Sequence, residues 1–275
     1  MKSILTLVED HSAIESVMTC ALLVGRRFGS AIDGVPIAPD ISDIVVADIS
    51  IGATIFDQRT RQVLIDRAAA HFSAATAGAT TPAVATGDTC TATWSSQMTS
   101  DGAVGSVGRV YDLLVLGRPG QGGHDPRQAT FEAALFESGR PVLIAPPRVP
   151  QALGDTILIA WNRSSETART VAFAMPLLAR AKRVVIMTIE VPSTPGPSGT
   201  LLAKTLARHG IAAEALPVEQ RAANEGPAIL RKAAEAGADL IIKGGYTQSR
   251  LRQMIFGGAP SHVLAHAELP VFMAH

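Results

Sequence analysis

The sequence predicts an α/β protein made of two tandem doubly wound units, each a parallel sheet with helices on both faces. Short apolar segments of strand length alternate with amphipathic segments of helix length, and this arrangement occurs twice in 275 residues. Three prolines (Pro146, Pro147 and Pro150) separate the two copies, and proline ends helices and central strands. We therefore expect a first domain over 1–147, a linker at 148–152 and a second domain over 153–275.

Two motifs of the first copy recur in the second. DLLVLG at 112–117 matches DLIIKG at 239–244, and RPVLIA at 140–145 matches LPVFMA at 269–274. From Asp112 to Val142 the spacing is 30 residues, and from Asp239 to Val271 it is 32 residues. A repeated motif at a nearly constant spacing indicates that one structural unit occurs twice in the chain.

The remaining elements follow from the same patterns. In the first copy we expect strands at 3–8, 31–37, 112–117 and 141–145, a β-leaning segment at 83–94, helices near 14–28, 60–75 and 130–136, and a weak helix or loop over 99–108. Ser12 and Glu15 form a capping-box pattern that predicts the start of the first helix. In the second copy we expect strands at 156–161, 183–190, 211–218, 239–243 and 270–274, and helices near 168–178, 201–209 and 227–236. Residues 38–57 show no clear period and are interpreted as an irregular excursion.

Composition excludes several classes of function. Apolar residues make up 47% and charged residues 17% of the chain, and Lys+Arg and Asp+Glu both number 24. A net charge of zero gives no electrostatic support to binding nucleic acid or an acidic membrane. Cys20 and Cys90 form no metal or redox motif, and no apolar run reaches the ~18 residues of a membrane helix. We expect a soluble cytoplasmic protein.

Residues 239–263 carry the strongest functional pattern of the chain. A short apolar strand, Leu240–Ile242, leads into Gly244 and Gly245, then a basic loop, then Gly257, Gly258 and a predicted helix. Glycine lets the backbone approach a ligand, and free N–H groups at a helix start attract phosphate. The pattern therefore predicts an anion site at the carboxyl end of this strand.

These segments resemble those of tandem universal stress proteins. The resemblance covers nearly all of both copies and is strongest in GGYTQSRLRQMIFGGAPSHVL and the final PVFMAH. It implies a five-stranded parallel sheet of order 3-2-1-4-5 in each domain. The final strands of two such domains pair antiparallel in the family, so two copies in one chain imply an internal pseudo-dimer, and a homodimer is a further expectation.

The resemblance also implies a nucleotide site in the second copy. Many family members bind ATP through G-x2-G-x9-G-(S/T), which falls here on Gly244, Thr247, Gly257 and Gly258. Thr247 replaces a glycine and Gly258 replaces the hydroxyl residue, while Pro260 removes an N–H. The family's acidic residue after the first strand becomes Asn162, preceded by Ala160 and by Trp161, which can floor the adenine space. These seven positions are the predicted contacts for ATP or AMP: Ala160, Trp161, Asn162, Gly244, Thr247, Gly257 and Gly258.

The first copy departs further from the family pattern. Gly117 and Gly120 match its first half, but Thr130 and Phe131 occupy the later glycine and hydroxyl positions. We predict a degenerate site there.

Three functional hypotheses remain. The first is a non-catalytic stress-response or signalling protein that binds an adenine nucleotide in the second domain. The second is an interaction or scaffold protein with decayed nucleotide sites and an unidentified protein partner. The third, a slow nucleotide hydrolase, lacks an evident Mg²⁺ carboxylate or general base beside the glycines, so no catalytic residue is assigned.

Two smaller patterns are interpreted as structural. His262 and His266 lie four residues apart, as zinc ligands can, but no third ligand is evident nearby and surface histidines explain them better. Cys20 is interpreted as core packing, and redox reactivity of its thiol stays open.

Overall fold

The computed structural model describes residues 1–38, 58–77, 89–97, 99–120, 122, 124–189, 195–217, 225–245 and 259–275. It divides into two compact units, Met1–Arg140 and Pro141–His275. The predicted domain limits at residues 147 and 153 stay a prediction from the sequence. From residue 39 on, the predicted excursion over 38–57 lies outside the described residues.

The first unit is a parallel sheet with helices on both faces. Its strands follow the spatial order β3-β2-β1-β5, and the short β4 pairs with the end of β2. The described elements are β1 (Ser3–Val8), α1 (Ile14–Phe28), β2 (Ala31–Ala38), α2 (Gln58–Thr76), β3 (Thr91–Trp94), β4 (Thr99–Ser100), α3 (Asp101–Gly108), β5 (Leu113–Gly117) and α4 (Gln128–Glu137).

The start of α1 differs from the prediction. The residue that caps the helix is Ala13, and no side chain accepts a capping hydrogen bond, so the capping box of Ser12 and Glu15 is wrong. His11 takes over part of this role, because its Nδ1 accepts a hydrogen bond from the Ala13 N–H at 3.1 Å. The Ser12 N–H instead donates to the His124 carbonyl at 3.0 Å. The backbone of Ser12, which the local pattern predicted to cap α1, is therefore held by the loop that contains His124.

The second unit contains six described strands. They are β6 (Val142–Ala145), β7 (Thr156–Trp161), β8 (Arg183–Thr188), β9 (Ala213–Ala215), β10 (Leu240–Gly244) and β11 (Val271–Ala274). Its helices are α5 (Ser165–Leu178), α6 (Gly199–Ala207), α7 (Glu225–Ala236) and α8 (Ala259–His266). The strand predicted over 211–218 is reduced to the three residues of β9 within the described part of that stretch.

The strand order of the second unit confirms the expected topology. The parallel strands follow the order β9-β8-β7-β10-β11, which is 3-2-1-4-5 in chain order. The sixth strand, β6, pairs antiparallel with β11, with Leu143 opposite Phe272. The last strand of the first copy thus pairs with the last strand of the second, which is the pairing implied by the resemblance.

The apolar strands supply the core of each unit. β5, β6, β10 and β11 are buried along their whole lengths, as expected for strands covered on both faces. The chain leaves α7 at Gly237, whose φ of 62° is the left-handed conformation that glycine adopts without strain. None of the helices within the described segments is long and apolar enough to cross a membrane.

Candidate functional site

Four of the seven predicted binding residues lie at one edge of the second unit's sheet. Ala160 of β7 is opposite Lys243 of β10, so the two adjacent parallel strands end at nearly the same level, in Trp161 and Gly244. Asn162 follows β7 directly, and Ala160 is buried within the strand. Thr247, Gly257 and Gly258 lie outside the described residues. This carboxyl edge is the place where ligands bind in open α/β sheets.

Asn162 is engaged by the start of α5. Its side chain is 8% exposed, and its Oδ1 accepts hydrogen bonds from the Ser164 N–H at 3.2 Å, the Ser164 hydroxyl at 2.8 Å and the Thr167 hydroxyl at 2.5 Å. Ser164 is the N-cap of α5, and its Oγ accepts the Thr167 N–H at 3.2 Å. A carbonyl oxygen has two lone pairs, so three donors occupy its capacity. The Asn162 oxygen therefore organises the helix start.

Gly244 allows β10 to approach α5. A Cβ at this position would lie 2.5 Å from both N and Oγ1 of Thr167, a distance at which heavy atoms overlap. Thr167 is fully buried and is also bonded to Asn162. Asn162, Thr167 and Gly244 thus form one packed cluster, in which glycine is required by the closeness of the helix.

Trp161 joins the end of β7 to the segment before α6. Its indole is buried, and Nε1 donates a hydrogen bond to the Pro197 carbonyl at 2.8 Å. Gly196 approaches so closely that a Cβ there would lie 2.8 Å from Cβ of Arg163, which has a φ of 67°. The indole N–H of Trp161, the residue predicted to contact the adenine, therefore bonds to the protein's own backbone.

Lys243 is a functional candidate that the sequence reasoning missed. Gly244 faces α5, so the alternation of a strand directs Lys243 to the opposite face, where α7 begins at Glu225. Lys243 is 2% exposed, and burial lowers the pKa of its ammonium to about 8, while the charge of Glu225 acts in the opposite direction. The sequence signal for this residue was a lysine that directly follows the apolar run Leu240–Ile242 within the predicted buried strand.

The corresponding edge of the first unit holds a buried ionic cluster. Arg127, just before α4, lies 2.9 Å from Asp101 Oδ1 and 3.5 Å from Glu9 Oε2. Thr130 donates a hydrogen bond to Asp101 at 2.5 Å. Burial raises the pKa of Glu9, and the Arg127 charge opposes this shift. Two buried carboxylates that share one guanidinium would repel a phosphate group.

The glycine loop of the first unit closes around its own carboxylate. The Gly122 N–H donates to Asp125 Oδ2 at 2.8 Å, and a Cβ at Gly120 would collide with the same carboxylate. Gly117 faces the ring of His11, where burial lowers the pKa to about 4 and keeps the imidazole neutral at pH 7. The described part of this loop thus presents carboxylates where a phosphate-binding loop presents free N–H groups.

The other candidate residues have structural surroundings. The rings of His262 and His266 stack with centroids 4.1 Å apart, and the described residues contain no cluster of three or more metal-ligating side chains. Cys20 and Cys90 are both buried and unbridged, and burial raises the pKa of each thiol.

The family of the second half follows from its sequence. Residues 154–275, which contain β7–β11 and α5–α8, match the sequence model of the Universal stress protein family. This half is therefore a universal stress protein domain.

Solved structures extend the likeness over the whole chain. A universal stress protein from Archaeoglobus fulgidus DSM 4304 shares 16% identity with a TM-score of 0.66, over 99% of this chain and 95% of that chain. A functionally unknown protein from Pseudomonas aeruginosa PAO1 shares 14% identity with a TM-score of 0.56, over 100% and 92%. At these identities the likeness establishes a common fold, which includes the first copy. The predicted tandem arrangement is thereby confirmed.

Curated proteins add no relative, because none of them matches the chain at a significant level.

Proposed function

We propose that this is a non-catalytic stress-response or signalling protein that acts as an interaction scaffold. In this proposal the polar side chains at the carboxyl edge of each sheet bind the protein's own chain instead of a nucleotide. The observation that carries the proposal is the saturation of the Asn162 oxygen by Ser164 and Thr167. A ribose hydroxyl that donates to this oxygen would have to displace a hydrogen bond at the start of α5. Breaking a buried hydrogen bond costs about 1–3 kcal/mol, which opposes binding.

The first unit supports the same proposal. Its equivalent edge is occupied by Glu9, Asp101 and Asp125, of which the first two share Arg127. A nucleotide phosphate placed there would meet negative charge in a partly buried setting, where Coulomb repulsion is stronger than in bulk water. Function through a protein partner, rather than through a bound nucleotide, fits both edges.

The described residues beside Gly244 also argue against catalysis. Hydrolysis needs a carboxylate to hold Mg²⁺ or a base to activate water. Asp239 lies at the opposite end of β10, where its carboxylate accepts the N–H groups of Gly154, Asp155 and Thr156 at 2.9–3.1 Å. Asp239 therefore acts as a structural tie between strands.

A second candidate is binding of ATP or AMP in the second unit. Gly244 at the end of β10 and the pattern of Gly257 and Gly258 favour it, because this strand–glycine–helix arrangement suits a phosphate. In this hypothesis Trp161 contacts the adenine and the Asn162 amide nitrogen donates to the nucleotide.

Calorimetric titration separates the two candidates. Wild-type protein is titrated with ATP and AMP, with and without Mg²⁺, beside Thr247→Trp and the control Thr205→Trp on the exposed face of α6. The scaffold proposal predicts no binding heat up to millimolar nucleotide. Stoichiometric binding that is lost in Thr247→Trp and kept in Thr205→Trp would overturn it and establish the second candidate. Phosphate release above a heat-inactivated control would contradict the non-catalytic assignment.

A further inference from the structure

A polar groove opens on one face of the sheet of the first unit. Its volume is about 340 Å³, and it lies over β2 and β3, beside α3. Six of its lining residues are polar: Asp33, Thr93, Ser95, Gln97, Thr99 and Tyr111. Val35 and Val107 supply apolar surface. The volume falls in the range of small-molecule sites, which is about 300–1,000 Å³.

The groove occupies the sheet face opposite α2. A Cβ at Gly34 would meet the ring of Phe72 of α2, so Gly34 faces α2 and its neighbours Asp33 and Val35 face away. On β3, Trp94 contacts Phe72, so Thr93 faces the groove with Asp33. The strand alternation thus brings the polar side chains of two adjacent strands onto one surface.

The second unit has no polar counterpart at these positions. Asp33 pairs with Leu5, and the equivalent pair in the second unit is Val185 with Leu158. Val185 is fully buried, and α7 contacts β8 on this side of the sheet. Tyr111 and Ala238 directly precede the matched residues Asp112 and Asp239, so they occupy equivalent positions in the two copies. A carboxylate and a phenol in the first unit therefore replace apolar side chains of the same fold.

Glycines in α3 keep the groove open. α3 has 8 residues where α7 has 12, and a Cβ at Gly105 would collide with Glu137 of α4. A Cβ at Gly108 would lie 2.7 Å from Leu114 of β5. This close approach draws α3 towards α4 and β5, and the described residues leave the outer face of β2 and β3 open.

The charge of the groove is negative. The Tyr111 hydroxyl donates a hydrogen bond to Asp33 Oδ2 at 3.0 Å. Burial and the Asp33 carboxylate raise the pKa of Tyr111 to about 12, so the phenol stays a proton donor at neutral pH. The lining residues that the structure describes include no lysine, arginine or histidine to balance Asp33. An anion is disfavoured here, and a cation is favoured.

We propose that this groove binds a small organic ammonium ion of the alkylamine or diamine class. The ammonium pairs with Asp33 Oδ1, the hydroxyls of Thr93, Ser95 and Thr99 accept further N–H bonds, and the alkyl chain contacts Val35 and Val107. Such a site uses the face of β2 and β3 opposite α2, and its lining includes none of the predicted nucleotide-binding residues.

The test uses probes that separate charge from shape. The full-length protein is titrated by calorimetry with 1,4-diaminobutane, 1,4-butanediol and succinate, which have chains of the same length and different charge. We expect saturable binding of the diamine, weaker at high salt, and no binding of the diol or the dianion. Equal binding of the diol, or no diamine binding up to about 10 mM, would overturn the proposal.

Variants locate the site. Asp33→Asn keeps the shape and the Tyr111 hydrogen bond but removes the charge, and we expect it to weaken diamine binding at least tenfold. Asp66→Asn, on the exposed surface of α2, removes the same charge elsewhere and should leave binding unchanged. Thr93→Phe fills the groove from an exposed edge-strand position and should abolish binding. Circular dichroism and the Tm confirm folding of each variant. Unchanged affinity in both Asp33→Asn and Thr93→Phe would overturn the assignment.

Discussion

Single polar residues at the carboxyl edges of the sheets bind the protein's own chain. Asn162 accepts three internal hydrogen bonds, Trp161 donates to Pro197, and Asp125 accepts the Gly122 N–H. Each of these side chains is of a type that recognises ligands in other proteins. The donor and acceptor groups of these side chains could bind a ligand. In the folded protein, neighbouring residues of the chain take up their hydrogen bonds instead.

Lys243 gives a prediction at this scale. Its pKa is lowered to about 8 in the folded protein, below the ordinary value of 10.5, so burial of the charge destabilises the protein below pH 8. We expect Lys243→Met to raise the free energy of unfolding at pH 7 by about 1–3 kcal/mol, because methionine fills a similar volume without charge.

The pH dependence has a defined sign. Between pH 8 and pH 10.5 the unfolded state binds more protons at Lys243 than the folded state, so wild-type stability rises with pH over this window. The gain from Lys243→Met should therefore shrink towards pH 10.5 in urea denaturation series. Lys204→Met, an exposed control on α6, should show neither effect. A variant less stable than wild type at pH 7 would contradict the prediction.

At the scale of elements, glycines decide how closely helices and strands pack. Gly244 lets β10 approach α5, and Gly105 lets α3 approach α4. The same residue type thus closes the edge of one unit and opens the groove of the other. Periodicity indicates which face of a helix is apolar, but the distance between two elements depends on the side chains at the contact.

The contact at Gly244 can be measured directly. We expect Gly244→Ala to lower the free energy of unfolding by about 3 kcal/mol, because the new Cβ would lie 2.5 Å from a backbone nitrogen that cannot move alone. Gly210→Ala is the control. The φ of Gly210 is 75°, and a Cβ added there would have no heavy atom within 4 Å apart from its chain neighbours. This substitution should therefore cost about 1 kcal/mol through backbone strain alone. Equal costs in urea denaturation would show that the close contact with Thr167 is not the cause.

At the scale of the whole molecule, the repeat determines how strand edges are protected. β11 is the last strand of the parallel order in the second unit, and β6 covers its outer edge by antiparallel pairing. An apolar strand edge left open would pair with another chain. The first copy therefore supplies the strand that completes the second unit.

Removal of β6 tests this role. We expect the fragment 148–275, which lacks β6, to form a dimer through its exposed β11, whereas the full-length protein keeps this edge covered. Size-exclusion chromatography with light scattering measures the mass of each. In the same fragment, Met273→Pro removes a backbone N–H from the open side of β11 and should reduce dimerisation, because the alternate residues Pro270 and Ala274 face β10. A monomeric, folded fragment 148–275 would contradict the prediction.

Much of the fold was readable from the sequence for a physical reason. Buried parallel strands need continuous apolar runs, and the strands predicted at 3–8, 112–117, 156–161 and 239–243 correspond to β1, β5, β7 and β10 of the structure. Helix ends were less readable. The pattern at Ser12 and Glu15 satisfies the local capping rule, but the His124 carbonyl takes the Ser12 N–H, a contact that joins residues 112 positions apart.

The sequence alone determined the two repeats, their strand order through the family pattern, and the edge where residues 160–162 and Gly244 meet. Tertiary structure decided what these residues do there, because hydrogen bonds to Ser164, Thr167 and Pro197 depend on the distances between β7, α5 and the segment before α6. It also revealed the Asp33 groove, since its side chains come from strands and loops far apart in the chain. Local patterns specify which groups are available, and packing specifies which of them remain available to a ligand.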